Sequence, residues 1–273
     1  MKDSPVWYKS VFISIAVIET GIKKRINRAE FLCICIILFK TRSMDSYYFS
    51  KAVFKMLKII HLPQTKWTLR RKFPVLFFYP HMERKEYILF KELCRNKEVF
   101  LEYGSGGSTI HLLKNKKTVF SVESNPDFYK YLLSMTLVKR TLQQNLHYKF
   151  INLGQTNQWG KPLTGEYSEN WPRYYEEIWE EIDPAIHRLD VVFIDGRFRV
   201  SCCLYSILKA IEYNWLDITF VIHDFWRREK YHVVLDFLLE VKSAENLVSF
   251  RMKKNISVNK VKELLEEYSL VVA

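Results

Sequence analysis

The chain is poor in the residues that cut a protein into linkers. It has eight glycines and eight prolines in 273 residues, which excludes a low-complexity or linker-rich architecture. Repeats of solenoid period are absent. A spanning helix needs about 20 apolar residues, and the two early apolar runs, Val11–Ile18 and Phe31–Phe39, hold eight and nine. Glu19 closes the first run and no A-x-A cleavage pattern follows, so export is not expected. The five cysteines (Cys33, Cys35, Cys94, Cys202 and Cys203) are odd in number and form no CxxC pair. That excludes a zinc knuckle and a disulfide framework and fits buried thiols in a reducing cytoplasm.

Acidic residues are scarce at the start. Residues 1–90 carry 17 Lys/Arg against 6 Asp/Glu, an excess of +11 out of the net +12. Lys23, Lys24, Arg25 and Arg28 place part of that charge between the apolar runs. The pattern suits a basic, helical extension that touches an anionic membrane through residues 1–60, at the inner face of the membrane. A soluble basic collar without a partner is the plainer reading, and no nucleic-acid motif accompanies the charge. Met44 offers a second start site that would make residues 1–43 dispensable.

What the chain does have is apolar material, 48% hydrophobic and 15% aromatic. From about residue 95 short apolar runs alternate with amphipathic segments, the βα pattern of an α/β fold with a parallel, doubly wound sheet. Strands are expected at Val99–Tyr103, Thr118–Glu123, His147–Leu153, Leu189–Asp195 and Ile218–Asp224, with a late one at Leu247–Lys253. Helices are expected at Ser108–Asn115, Asp127–Gln144, Arg173–Glu181, Val200–Asn214, Tyr231–Ala244 and Lys260–Tyr268, and Phe73–Tyr79 reads as a short strand or extended connector. The domain boundary falls at residues 90/91: a basic extension over 1–90 and a nucleotide-binding domain over 91–273.

The first strand runs into Gly104-Ser105-Gly106-Gly107-Ser108-Thr109 and then a helix. Glycines let the backbone turn tightly and approach a ligand, and a helix N-terminus supplies free N–H groups. Glu123 ends the second strand, where a carboxylate can accept from both ribose hydroxyls. The plainer alternative for Glu123 is a cap on the helix beginning near Asn125-Pro126. A dinucleotide loop would carry Gly or Ala where Thr109 stands. Glu102, two residues before the first glycine, would repel a pyrophosphate and suits an ammonium.

The segments Phe100–Thr109, Ser121–Glu123, Asp190–Arg199, His223–Phe225 and Tyr231–Val234 resemble the motifs of class I S-adenosylmethionine-dependent methyltransferases. They look like a bacterial group of methyltransferase-like proteins and are distantly similar to plant enzymes that O-methylate glucuronic acid on xylan. The resemblance covers about residues 95–255. It implies a Rossmann-like, mostly parallel sheet of seven strands with the last inserted one antiparallel. It also implies S-adenosylmethionine as cofactor, with methionine at the glycine loop and ribose at Glu123.

On the acceptor side, Asp195-Gly196-Arg197 ends the fourth strand and His223-Asp224 the fifth. In metal-dependent members of the resembling superfamily, acids at these two strand ends hold a divalent cation such as Mg²⁺. Asp195 and Asp224 are the residues concerned, but Phe198 stands where a further histidine is often found. The metal-free version uses His223 or Asp224 as general base, with Arg197 and Arg199 gripping an acidic acceptor. The plainest reading pairs Asp195 with Arg197 and leaves His223 as a cap. His232 is a weaker candidate for the same cleft. The connection Gln155–Arg188 holds Trp159, Tyr167, Trp171, Tyr174, Tyr175 and Trp179, which either line a lid or pack as core. The expected function is methyl transfer to an oxygen of a small or glycan-like acceptor. The rivals are a non-catalytic binding or membrane-adaptor protein and an NAD-binding oxidoreductase.

Overall fold

The structure, a computed structural model, describes residues 63–157 and 159–272. The early apolar runs, Cys33, Cys35, the basic cluster around Lys24, Met44 and the whole stretch expected to touch membrane lie outside the described residues. No described helix is long and apolar enough to cross a membrane.

Residues 62–273 form one compact unit, so the expected boundary at 90/91 falls inside a helix. Among the described residues three helices precede the sheet: α1 (Pro63–Lys72), α2 (Pro74–Phe77) and α3 (Arg84–Cys94). Their apolar side chains account for the shift. Phe90 is buried with its ring 5.2 Å from that of Phe193 in the sheet. The segment expected as strand or connector, Phe73–Tyr79, contains a turn of helix instead, because Pro74 presets φ at the first helical position.

Seven strands follow: β1 (Val99–Tyr103), β2 (Thr118–Glu123), β3 (Leu146–Phe150), β4 (Val191–Ile194), β5 (Thr219–Ile222), β6 (Leu238–Ala244) and β7 (Leu247–Met252). The order is β3-β2-β1-β4-β5-β7-β6. The first five pair in parallel, and β7 runs antiparallel to both β5 and β6. Strand order reverses between β1 and β4, the crevice where open α/β sheets bind ligands. The core strands are near-continuous apolar runs, as sheets covered on both faces require: Phe100, Leu101, Phe120, Val192, Phe193 and Phe220 are all buried.

The helix α4 (Gly107–Lys114) follows β1, and α5 (Pro126–Leu133) and α6 (Thr136–Thr141) follow β2. The single helix expected over Asp127–Gln144 is therefore broken. Met135 adopts an extended ψ of 140°, and the Ser134 hydroxyl donates to the Tyr131 carbonyl. After a short helix α7 (Arg173–Glu176) comes α8 (Arg199–Glu212), then α9 (Val258–Tyr268). The helix expected over Tyr231–Ala244 is a 3₁₀ segment, Glu229–Asp236, followed by β6. β6 is an edge strand with only Leu238 buried, so its side chains carry almost no periodic signal, and pairing to β7 decides its conformation.

Candidate active site

The glycine loop leaves β1 at the strand-order reversal. Gly104 has φ +92°, and a Cβ there would lie 2.6 Å from the Gly196 Cα. Gly196 is equally hemmed in, with the Tyr174 hydroxyl 2.1 Å from its would-be Cβ. The loop after β1 and the acidic turn after β4 are thus in backbone contact, and only glycine allows it. Gly107 is backed by the Tyr79 carbonyl, 2.1 Å from its would-be Cβ, whereas Gly106 faces open space.

Side-chain hydroxyls fasten this loop. Thr109 Oγ1 donates to Glu102 Oε2 at 2.5 Å and accepts the Gly106 N–H at 2.8 Å. Ser121 donates to the same Glu102 oxygen at 2.9 Å. Glu102 is fully buried, and its Oε1 has no hydrogen-bond partner. Burial pushes its carboxyl up to about 7, against the hydroxyls that favour the charged form. Ser108 is buried at the start of α4.

Glu123, at the end of β2, accepts N–H bonds from Ser124 and Asn125 on Oε1, each at 2.8 Å, and the Ser105 hydroxyl on Oε2 at 2.8 Å. Burial raises its carboxyl despite these donors. It caps the turn after β2, and Oε2 also faces the glycine loop. Gly160 closes over it, with a would-be Cβ 2.6 Å from Ser124 Oγ and 3.6 Å from Glu123 Oε1.

At the ends of β4 and β5, Asp195 and His223 lie together: His223 Nδ1 is 2.9 Å from Asp195 Oδ1. Asp224 continues the chain with φ +57°, a left-handed conformation that aspartate tolerates better than most residues. Phe198, wholly buried, has φ +49°, a genuine strain that ends the turn and starts α8.

A structure of a methyltransferase-like protein from Silicibacter pomeroyi DSS-3 is 25% identical, with a TM-score of 0.57. The match covers 71% of this chain and 97% of that one. In fold and sequence the chain is similar to the class I S-adenosylmethionine-dependent methyltransferase superfamily. An S-adenosylhomocysteine-bound structure of the Podospora anserina methyltransferase PaMTH1 is 11% identical over 93% of this chain and all of that one, with a TM-score of 0.42. No protein-family model and no curated protein matches the sequence.

The cluster at the ends of β4 and β5 differs from the roles expected of its residues. Arg199, which is 4% exposed, forms an ion pair with Asp195 Oδ1 at 3.1 Å and donates to Asp224 Oδ2 at 3.4 Å. Its remaining donors reach the carbonyls of Gly196, Asp195 and His223. Arg199 is therefore spent inside the site and does not grip an acceptor. The expected pairing of Asp195 with Arg197 is replaced by Arg199 and His223. Arg197 stands near Asp195 and Glu123 in charge, and burial lowers its guanidinium.

Sequence reasoning missed Glu86. It is buried in α3, and its Oε2 is 3.2 Å from His223 Nε2. A carboxylate offers no proton, so with one at each ring nitrogen the satisfied form of His223 is the imidazolium. Burial alone would lower the His223 pKa, but Asp195, Asp224 and Glu86 raise it to about 9. The same partner, with Arg199, holds Asp195 below its ordinary range against the effect of burial. An imidazolium with both nitrogens engaged is a poor general base. No local motif around Glu86 announces it.

Asp195, His223 and Asp224 offer ligand atoms within 4.8 Å of one another, the spacing of a metal site. One oxygen of each aspartate and one ring nitrogen already have partners: the Arg199 guanidinium lies on Asp195 Oδ1 and Asp224 Oδ2, and Nδ1 faces Asp195. A divalent cation there would lie against the Arg199 guanidinium and the charged His223 ring, whose like charge opposes it, and the site as built does not fit one.

The aromatic connection is mostly core. Trp171, Tyr174, Tyr175 and Trp179 are buried, whereas Trp159 is 62% exposed and Tyr167 38%. The Trp159 ring is 6.0 Å from that of His81, beside the glycine loop's roof at Tyr79. The His232 ring packs tilted against Phe225, 5.1 Å between centroids, with its Nε2 buried and unpartnered. Cys94, Cys202 and Cys203 are free and buried, as composition suggested.

Proposed function

We propose that this protein transfers a methyl group from S-adenosylmethionine to an oxygen of a small or glycan-like acceptor. The observation that carries the reading is the backbone contact between Gly104 and Gly196. It sets the nucleotide loop directly against the acidic turn, so donor and acceptor sites share one crevice.

The cradle fits the cofactor. Gly106 leaves open space in the loop, and the buried Glu102 Oε1 lacks the donor that a methionine ammonium would bring. Glu123 Oε2 holds only the Ser105 hydroxyl and keeps capacity for ribose hydroxyls. Glu102, Gly104, Ser105, Gly106, Gly107, Ser108, Thr109 and Glu123 make up this half. When bound, S-adenosylmethionine supplies a methyl group activated on sulfur. Asp224 is the general base: with His223 engaged at both nitrogens, it is the remaining base candidate of the pair at the end of β5. Asp195 and Arg199 hold it in place, and Arg197 faces an acidic group of the acceptor. Enzyme groups orient the hydroxyl and take its proton, with no metal step.

The test is labelled-methyl transfer from S-adenosylmethionine into cell-envelope glycan fractions. Wild-type protein should incorporate label with or without chelator. Asp224→Asn should lose about 100-fold or more, the range typical of a general base, while still binding S-adenosylhomocysteine. Full activity in Asp224→Asn would move the base elsewhere, and loss of wild-type activity on chelation would overturn the metal-free route.

A further inference from the structure

We propose that Glu86 is a positioning residue for this reaction: it holds the His223 ring so that Asp195, Arg199 and Asp224 are set for proton removal from the acceptor. The inference rests on the methyltransferase reading.

A continuous chain of contacts links helix α3 to the base. Glu86 Oε2 to His223 Nε2 is 3.2 Å, and His223 Nδ1 to Asp195 Oδ1 is 2.9 Å. Asp195 Oδ1 to Arg199 is 3.1 Å, and Arg199 to Asp224 Oδ2 is 3.4 Å. Glu86 is itself fixed from two sides. Its Oε2 accepts the Glu83 N–H at 2.7 Å, at the start of its own helix. Its Oε1 accepts the Asn246 N–H at 3.0 Å, in the turn between β6 and β7. The anchor therefore draws on α3 and the β6–β7 hairpin, both outside the β4 and β5 ends it supports.

A clip that merely fastened α3 would not need this arrangement. Buried ion pairs are weak sources of stability, because desolvation offsets their attraction, and apolar residues fasten helices at lower cost. Here a 2% exposed carboxylate meets a 7% exposed imidazole whose other nitrogen faces Asp195. The charged groups facing His223 are Glu86 from α3, Asp195 from the end of β4 and Asp224 beside it, with Arg199 of α8 donating to its carbonyl. Removing Glu86 takes away one of three carboxylates that keep the ring charged, and Asp195 loses a fixed donor.

The full chain, wild type and Glu86→Gln, should be compared by three measurements. These are methyl incorporation into the glycan fraction across pH, S-adenosylhomocysteine calorimetry, and NMR titration of His223 assigned with His223→Asn. The variant should bind S-adenosylhomocysteine within twofold of wild type. Its His223 midpoint should fall by about one unit or more, and the alkaline limb of its rate profile should move with it. Above that midpoint the rate should drop about tenfold, the change in protonated fraction per pKa unit. A His223 midpoint that is unmoved, or that moves while the rate profile stays put, overturns the proposal. If Glu86→Gln does not fold, the wild type alone decides: the His223 midpoint and the alkaline limb must coincide, and a mismatch overturns it. Failure of wild-type protein to bind S-adenosylhomocysteine would instead strike the methyltransferase reading.

Discussion

The two halves of the crevice are built on different principles. The half proposed to hold the nucleotide lies within Glu102–Glu123 and is fastened by hydroxyls and backbone N–H groups, such as Thr109 to Glu102 and Ser105 to Glu123. The half proposed for the acceptor joins Glu86, Asp195, Arg199, His223 and Asp224 from three stretches of the chain, through charge pairs. A loop of small residues creates a shape, and the shape is set locally by glycine. A cluster of buried charges creates a protonation pattern, and each member's role depends on which partner the fold brings to it. That difference explains why His223 is pinned as a cation rather than poised as a base.

The sharpest way to break the comparison is at its seam. Gly104→Ala must place a Cβ 2.6 Å from backbone in a φ +92° conformation. It should cost on the order of 3 kcal/mol of stability and disorder both halves at once. Denaturant unfolding with S-adenosylhomocysteine titration would check this. A stable variant with normal binding would mean the two loops are not in contact.

The charged half should show itself in pH. The His223 pKa is raised from 6.5 to about 9 in the folded protein. Its contribution is therefore fully present below 6.5 and lost as pH rises through about 9, a change of about 3 kcal/mol for 2.5 units. Unfolding free energies at pH 6 and pH 9.5, wild type against His223→Gln, should show that extra loss in wild type only. The same slope in both proteins would remove the imidazolium from the account.

The nucleotide half should respond to charge more gently. Glu123→Gln keeps an acceptor for the Ser124 and Asn125 N–H groups and loses the carboxylate offered to ribose. It should weaken S-adenosylhomocysteine by about 1.5 kcal/mol, roughly the worth of one hydrogen bond to a charged group, with little change in melting. Unchanged affinity would reduce Glu123 to a cap.

Legibility follows the same divide. β1 and β2 were readable to the residue, because apolar runs ended by a glycine loop and by a carboxylate mark their own boundaries. Glu102, Gly104 and Glu123 needed only short-range pattern. β6 was misread as helix because an edge strand with one buried residue shows no alternation. Glu86 was invisible, since on α3 it looks like a capping-box acid, which it also is. Its second role depends on His223, 137 residues away. The internal use of Arg199 was hidden likewise: only the fold shows that all its donors turn inward.

The central claim is that the loop from Gly104 to Thr109, with Glu102 and Glu123, holds the S-adenosyl cofactor. Calorimetric titration of the full chain with S-adenosylhomocysteine and, separately, with NAD tests it most directly. The account predicts a micromolar dissociation constant for S-adenosylhomocysteine, about 8 kcal/mol of binding free energy, and much weaker binding of NAD. Tighter binding of NAD, or no binding of S-adenosylhomocysteine, would contradict it.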